Sequence, residues 1–412
     1  MTEAVRPRLP ETPPPNFESA AFIRAHIADI LAFYRPNAYD PNGGFFHYFS
    51  DDGHVYNRGH RHLVSATRFV FNWVQAWQHT GDPLYQDWAR HALAHLDQSF
   101  RTADGDYVWT LQDGQPEDAR IMAYGQAFVL LAKSWAHRID LCTAAEVRAI
   151  FDRMDVVFYD ASAGAYADEC SREGQLHPYR GQNANMHMCE ACIAAFEATG
   201  DPIYLDRAQA LATTFTQTLV RQPSTTHPSH CDGQIWEHYD LDWQPDWAYN
   251  QDNPGDIFKP WGYQTGHQTE WAKLLLAIHA VAPSDRWVST ARHLHDAAFA
   301  NGWDTTHGGL VYGYAPDGRV CDSDKYFWVQ AESFASAWRL WRITADTRYL
   351  QQYTDTWAWA WAHLVDHQNG AWFRIVNAKG DALETTKSPA GKVDYHTMGA
   401  CWDVLSVGGL QA

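Results

Sequence analysis

The 412-residue chain contains no unbroken apolar run of the length that a bilayer-spanning helix requires. It is also short of basic residues. Lys and Arg number 31 against 49 Asp and Glu, a net charge of −18, which argues against duplex nucleic acid as a partner. The seven cysteines follow no framework spacing, so reduced thiols are expected rather than a disulfide scaffold. The N-terminal stretch is Pro-rich and polar rather than basic and then apolar, so it does not read as a signal peptide and the expected location is the cytoplasm. Residues 1–15 read as a disordered tail, and residues 16–412 as one catalytic domain.

What the chain has in excess is Trp (20), Tyr (20) and His (22), against only 19% charged residues. Aromatic faces stack on sugar rings while their polar tips bind hydroxyls, so a pocket lined this way suits a neutral carbohydrate, although much of this content must belong to the core.

Three stretches repeat one phrase: His79 to Tyr85 (HTGDPLY), Ala198 to Tyr204 (ATGDPIY) and Ile343 to Tyr349 (ITADTRY). Each follows an aromatic-rich apolar run and precedes an amphipathic one. Gly, or Ala345 in the third, ends one helix and Asp caps the next, so the unit is a helical hairpin. Between these phrases recur aromatic, strand-like pieces around Gly and Asp-Gly, which read as β-hairpins. Gly44, Gly105, Gly164, Gly233, Gly308 and Gly370 mark them at steps of 61, 59, 69, 75 and 62 residues. Six such units close naturally into a ring.

In such a ring an inner helix is covered on nearly every side and an outer one carries a single apolar stripe. Leu63 to Trp77, Ala123 to Trp135, Met188 to Ala198, Trp271 to Val281 and Ser333 to Trp341 are apolar almost throughout and read as inner helices. Pro83 to Phe100, Ala144 to Phe158, Tyr204 to Leu219, Asp285 to Phe299 and Tyr349 to Leu364 are amphipathic and read as outer ones. The expected fold is all-α, an (α/α)6 barrel with short β-hairpins between helices on one rim; an open helical solenoid is the alternative.

Four segments carry chemistry. Arg68 falls inside an inner helix among Phe69, Val70 and Phe71, where a guanidinium needs a wet cavity or a partner. In GQNANMHMCEA, an Asn-rich loop is expected to enter a helix near His187, with Glu190 on the same side. DNPGDIFKPWGYQTGHQTEW places His267 and Glu270 in the first turns of another helix, and KVDYHTM places His396 before the last. Three histidines thus stand at inner-helix N-termini on one rim.

These segments and the repeat order resemble the N-acylglucosamine 2-epimerase superfamily, and within it the aldose–ketose isomerase branch, over Phe22 to Leu410. The resemblance implies that Arg68 is the family's essential arginine, that His187, His267 and His396 are its active-site histidines and that Glu270 is their acidic partner. It further implies that Trp328 and Glu332 form the W-x-x-x-E segment, with Asn183 and Tyr124 as pocket residues. Members of this type work without metal or nucleotide, so no cofactor is expected; the expected partner is a monosaccharide, with a homodimer left open.

The chemistry suits these residues. Interconverting a 2-hydroxy aldehyde and its ketose moves a proton from C2 to C1 through a cis-enediol, and histidine, with an unperturbed pKa of ~6.5, exchanges protons readily at neutral pH. The expected roles are His396 as the base that returns its proton at C1, and His267 as the complementary acid or ring-opening group. Glu270 orients His267, Arg68 stabilises the enediolate, and His187, Asn183, Glu332, Trp328 and Tyr124 bind substrate.

Other readings are blander or belong to other classes. His60 with His62, and His293 with His295, have the spacing of metal ligands but lack accompanying carboxylates. Cys189 and Cys192 spell CxxC inside a helix and read as packed small residues. An inverting glycoside hydrolase on the same barrel needs two carboxylates ~6.5–9.5 Å apart, drawn from Asp240, Asp242, Glu270 and Glu332. A non-catalytic sugar-binding protein and a 2-epimerase are further alternatives. Sulfoquinovose isomerases of the branch carry an Arg where this chain has Ile257, although Lys259 is near. An unmodified hexose such as D-mannose, yielding D-fructose, or the pentose D-lyxose, yielding D-xylulose, is therefore the expected substrate.

Overall fold

The computed structural model describes residues 14–221 and 232–411, so most of the segment expected to be a tail lies outside the described residues. Its helices are α1 (Ala20–Tyr34), α2 (Leu63–Thr80), α3 (Pro83–His95), α4 (Ala123–His137), α5 (Ala144–Phe158), α6 (Gln182–Thr199), α7 (Pro202–Thr213), α8 (Thr265–Val281), α9 (Asp285–Gly302), α10 (Phe327–Thr344), α11 (Thr347–His363) and α12 (Tyr395–Val407). Single π-helical turns, Leu96–Phe100 and Thr214–Thr218, extend α3 and α7.

The repeated phrases act as read. Gly81 (φ 69°), Gly200 (φ 75°) and Ala345 (φ 57°) end α2, α6 and α10 in the left-handed conformation. Asp82, Asp201 and Asp346 then accept the first free amides of α3, α7 and α11.

The even-numbered helices form the inner ring. In order, α2 packs on α4, α4 on α6, α6 on α8, α8 on α10, α10 on α12, and α12 on α2. The outer helices α3, α5, α7, α9 and α11 each cover the inner helix that precedes them, and α1 covers α12. Closure of α12 on both α1 and α2 makes the fold a barrel rather than a solenoid. The chain ends are joined as well, through a bridge between Ser19 and Gln411.

The strand pieces depart from simple hairpins. Tyr48–Phe49 pairs with Val55–Asn57, Thr110–Gln112 with Gln115–Asp118, and Gly313–Tyr314 with Val320–Asp322, as local ribbons. A longer-range rule runs through the rest. The strand immediately before an inner helix pairs with a strand of the next unit: His60–His62 with Thr110–Gln112, Ile121–Met122 with Glu169–Cys170, Arg180–Gly181 with His238–Tyr239, Tyr263–Gln264 with Gly313–Tyr314, and Lys325–Tyr326 with Ile375–Val376. The lead-in backbone needs partners that its own helix cannot supply, so neighbouring units supply them.

A second device repeats with it. The fourth residue of α4, α6, α8 and α10 is an amide, and each clamps both the N–H and the C=O of one backbone residue in the adjoining loop. Gln126 holds Tyr107, Asn185 holds Tyr166, Gln268 holds Ile235 and Gln330 holds Leu310. Strand and clamp together fix the N-terminal ends of the inner helices, where the candidate site lies.

Candidate active site

Helices α2 and α4 start at Leu63 and Ala123, as read, whereas α6, α8 and α10 start earlier than their apolar runs suggest. Helix α6 begins at Gln182, so the Asn-rich segment occupies its first turns rather than a loop. Its second residue is Asn183, and the second residues of α4, α10 and α12 are Tyr124, Trp328 and His396. In α8 the second position is Gly266, where a Cβ would come within 2.3 Å of the Trp328 ring, and His267 follows it. One turn deeper, the sixth residues of α2, α6, α8 and α10 are Arg68, His187, Glu270 and Glu332. Residues four apart on a helix share a face, so the bore is built in layers.

The upper layers open into a cavity lined by Arg68, Tyr124, Asn183, His187, His267, Glu270, Trp328 and His396, together with Phe258, Tyr312 and Gly391. Glu332 is buried behind His396 rather than in the lining, so it is not placed to bind substrate directly.

Each histidine is backed by a carboxylate on Nδ1. His396 Nδ1 lies 2.7 Å from Glu332 Oε1, His187 Nδ1 lies 2.9 Å from Glu190 Oε2, and His267 Nδ1 lies 2.9 Å from Glu237. A carboxylate accepting from Nδ1–H fixes the tautomer and leaves Nε2 for the cavity. Glu237 is oriented in turn by Gln182 Nε2, whose amide oxygen accepts from Trp271.

The expectation that Glu270 orients His267 is therefore corrected. Three residues on α8 bring the two to one face, but a loop carboxylate, Glu237, occupies the His267 Nδ1 side. Among the described residues neither oxygen of Glu270 has a hydrogen-bond partner. Burial first, and then the charge of Glu332, push its pKa well above the usual carboxylate range despite Lys273. This shift favours the protonated carboxyl, which lines the cavity and in that form can donate a hydrogen bond into it.

Arg68 bridges α4 and α12, the inner helices on either side of its own. Its guanidinium lies between the rings of Phe128 and Tyr395, at 4.4 and 4.6 Å from their centroids. It donates to Gly391 O and to Tyr124 Oη, and its Nη2 lies 3.1 Å from His396 Nε2. Burial, then Arg68, His187 and Lys273, hold the His396 pKa well below its ordinary value, so the ring is neutral at pH 7. Burial also lowers that of His187, against the opposing pull of Glu190.

The chain enters α12 through strained backbone. Val393 and Asp394 both have positive φ, 33° and 47°, a conformation that non-glycine residues rarely hold unless their surroundings impose it. Here they do: the Asp394 carboxylate takes bonds from Tyr34 Oη (2.6 Å), Lys392 Nζ (2.6 Å) and Thr397 Oγ1 (2.9 Å). His396 follows two residues on, as the second residue of α12.

Two groups, His187 with Glu190 and Glu270, and Glu270 with Glu332 and His396, bring their ligand atoms within 4.8 Å of one another. A cation is already engaged there, since Lys273 Nζ pairs with Glu332 and Arg68 meets His396. The other histidine pairs are occupied by protein partners. His62 Nδ1 accepts from Val64 N, His60 pairs with Glu117, and His295 bonds Ser336 and Gln352.

The hydrolase alternative finds no inverting pair. Asp240 and Asp242 lie in an exposed turn outside the cavity, and Glu270 and Glu332 are closer together than such a pair requires. Lys259, the neighbour of Ile257, turns its ammonium over the Tyr179 ring at 4.1 Å instead of into the cavity.

Comparison with known proteins defines the class. Residues 44–400 match the family model of N-acylglucosamine 2-epimerase (GlcNAc 2-epimerase), and the chain belongs to that family. A D-mannose isomerase from Marinomonas mediterranea is 49% identical over 393 residues, covering 95% of this chain and 98% of that protein. A crystal structure of D-mannose isomerase superposes with a TM-score of 0.92 at 47% identity, covering 96% of this chain and all of the other. A cellobiose 2-epimerase from Bacteroides fragilis is more distant, 24% identical over 397 residues, 91% of this chain and 95% of that one.

Proposed function

We propose that the protein is a metal-independent aldose–ketose isomerase that interconverts D-mannose and D-fructose, and also D-lyxose and D-xylulose. The observation that carries the reading is the neutral His396, held through Nδ1 by Glu332 with Nε2 beside Arg68, facing a cavity that His267 also lines. Its identity to a D-mannose isomerase, twice that to a cellobiose 2-epimerase, supports isomerisation over epimerisation.

In this mechanism His396 Nε2 takes the proton from C2 of the open-chain aldose. The C–H electron pair becomes the C1–C2 double bond, and the carbonyl oxygen at C1 takes a proton from His267. Arg68 holds the oxygens of the cis-enediol, a fixed charge placed where negative charge develops. In the return step His267, which gave its proton to O1, takes the proton from O2, the C2 carbonyl forms, the C1–C2 double-bond electrons take the proton that His396 delivers to C1, and both histidines return to their starting forms. Glu270, as a neutral acid, donates to a sugar oxygen; His187, Asn183, Tyr124 and Trp328 bind and shield the chain of the sugar. The six free cysteines among the described residues suit a reducing compartment, and we place the enzyme in the cytoplasm, with a homodimer left to measurement.

The test is to incubate EDTA-treated protein with D-mannose, D-lyxose, D-glucose and cellobiose and follow products by NMR. Fructose from mannose and xylulose from lyxose are expected. Accumulation of a 2-epimer in place of ketose, or reaction only after metal is restored, contradicts the reading.

A further inference from the structure

On α8, His267, Glu270 and Lys273 recur at three-residue intervals and so lie along one face. The first two line the substrate cavity. Lys273 lies beyond them and lines a second cavity at the opposite mouth of the barrel, whose walls include Glu190, Glu332, Arg339 and Tyr395. Its ammonium meets Glu332 Oε2, while Oε1 of the same carboxylate takes His396 Nδ1–H at 2.7 Å.

We infer that Lys273 is a positioning residue for the base: it keeps Glu332 ionised and fixed, so that Glu332 holds His396 in the tautomer whose Nε2 carries the lone pair, which meets Arg68 in the structure and takes the substrate proton in turnover. For its last step the inference rests on the isomerase reading of the cavity.

The wall between the two cavities contains three buried or nearly buried carboxylates, Glu190 from α6, Glu270 from α8 and Glu332 from α10. Glu190 is satisfied by His187 and by Tyr395 Oη, at 2.9 and 2.8 Å. Glu270 makes no hydrogen bond among the described residues, and burial, then the charge of Glu332, favour its protonated form. Among the described residues two permanent cations, Arg68 and Lys273, face this wall, and the hydrogen bonds of Arg68 go to a carbonyl, a phenol and an imidazole. Farther out, Arg339 of α10 and Asp403 of α12 pair with each other. Among the described residues Lys273 is thus the permanent cation that pairs with a carboxylate of the wall; burial, and then the charge of Glu190, push Glu332 towards the neutral form, and the charge and hydrogen bond of Lys273 are the largest influences opposing them.

Removal of Lys273 has a specific consequence. A protonated Glu332 donates to His396 Nδ1 instead of accepting from it, which places the imidazole proton on Nε2, breaks the bond that Nε2 accepts from Arg68 and disables the base. A lysine that only filled space would not produce this inversion.

The test compares full-length Lys273→Met and Lys273→Arg with the parent. In Lys273→Met, kcat at pH 7 falls by at least ~100-fold with KM within ~3-fold, and the acid limb of kcat moves up by ~1 pH unit or more. Lys273→Arg, which keeps the charge, restores most of the activity. Nitrogen-15 NMR of labelled histidine reads the same claim without any substrate: His396 carries its proton on Nδ1 in the parent and on Nε2 in Lys273→Met. An unchanged tautomer in folded Lys273→Met, an unchanged acid limb, or equal defects in Met and Arg variants overturns the inference. If the parent makes no ketose from any sugar, the isomerase reading fails and the NMR comparison alone decides the role of Lys273.

Discussion

His396 is held edge to edge between a carboxylate and a guanidinium: Nδ1 lies 2.7 Å from Glu332 Oε1 and Nε2 lies 3.1 Å from Arg68 Nη2. Glu332→Gln keeps the shape of this arrangement and reverses its polarity. Lys273 draws the amide oxygen to itself, so the NH2 group faces Nδ1 and donates to it. The expected result is a fall in kcat of ~10²–10⁴ with little change in KM, measured by steady-state isomerisation kinetics. Activity within a few-fold of the parent would show that Glu332 does not set the tautomer.

The pH profile follows from the same ring. His396 works as a base only when neutral, and burial, Arg68, His187 and Lys273 all oppose its protonation. Activity therefore persists through pH 6.5, the ordinary histidine midpoint, and declines only at lower pH. The acid limb of kcat/KM measures this directly. A break at or above pH 6.5 contradicts the assignment.

Ala345 occupies the left-handed position where the matching turns have Gly81 and Gly200. Its Cβ carries a steric penalty of ~1 kcal/mol there. Ala345→Gly should stabilise the fold by about that amount, partly offset by the greater freedom of glycine when unfolded, and thermal or urea unfolding will show it. A destabilised variant would mean that contacts of the Ala345 methyl outweigh its backbone strain.

Gln268 clamps both polar groups of Ile235, at 3.0 and 2.8 Å, in a fully buried position. Gln268→Leu retains the bulk and orphans a backbone N–H and C=O, each worth ~1–3 kcal/mol when buried without a partner. A loss of several kcal/mol in urea unfolding is expected, and activity falls with it, because the clamped loop also carries Glu237 beneath His267. A loss below ~1 kcal/mol would show that the clamp is dispensable.

The barrel was legible in the sequence because its signals are local. Helix caps, the alternation of buried and amphipathic helices, and the glycine period are all written within short windows. The pairing of lead-in strands was not legible, since His60 and Gln112 meet only when neighbouring units dock. The same difference runs through the site. Glu190 sits three residues from His187 and its pairing follows from helix geometry, whereas Glu237 reaches His267 across 30 residues and a loop. Glu270 shows the limit of spacing arguments. It lies on the expected face, but Glu237 reaches Nδ1 of His267 instead.

In the proposed mechanism His396 acts as the base without a metal. The most direct test is the rate of fructose formation from D-mannose by EDTA-treated parent and His396→Asn proteins, with folding of both verified by circular dichroism. A parent that turns over without metal, beside a folded variant slowed by ~10³-fold or more, is the predicted result. A folded His396→Asn protein that keeps substantial activity would contradict it.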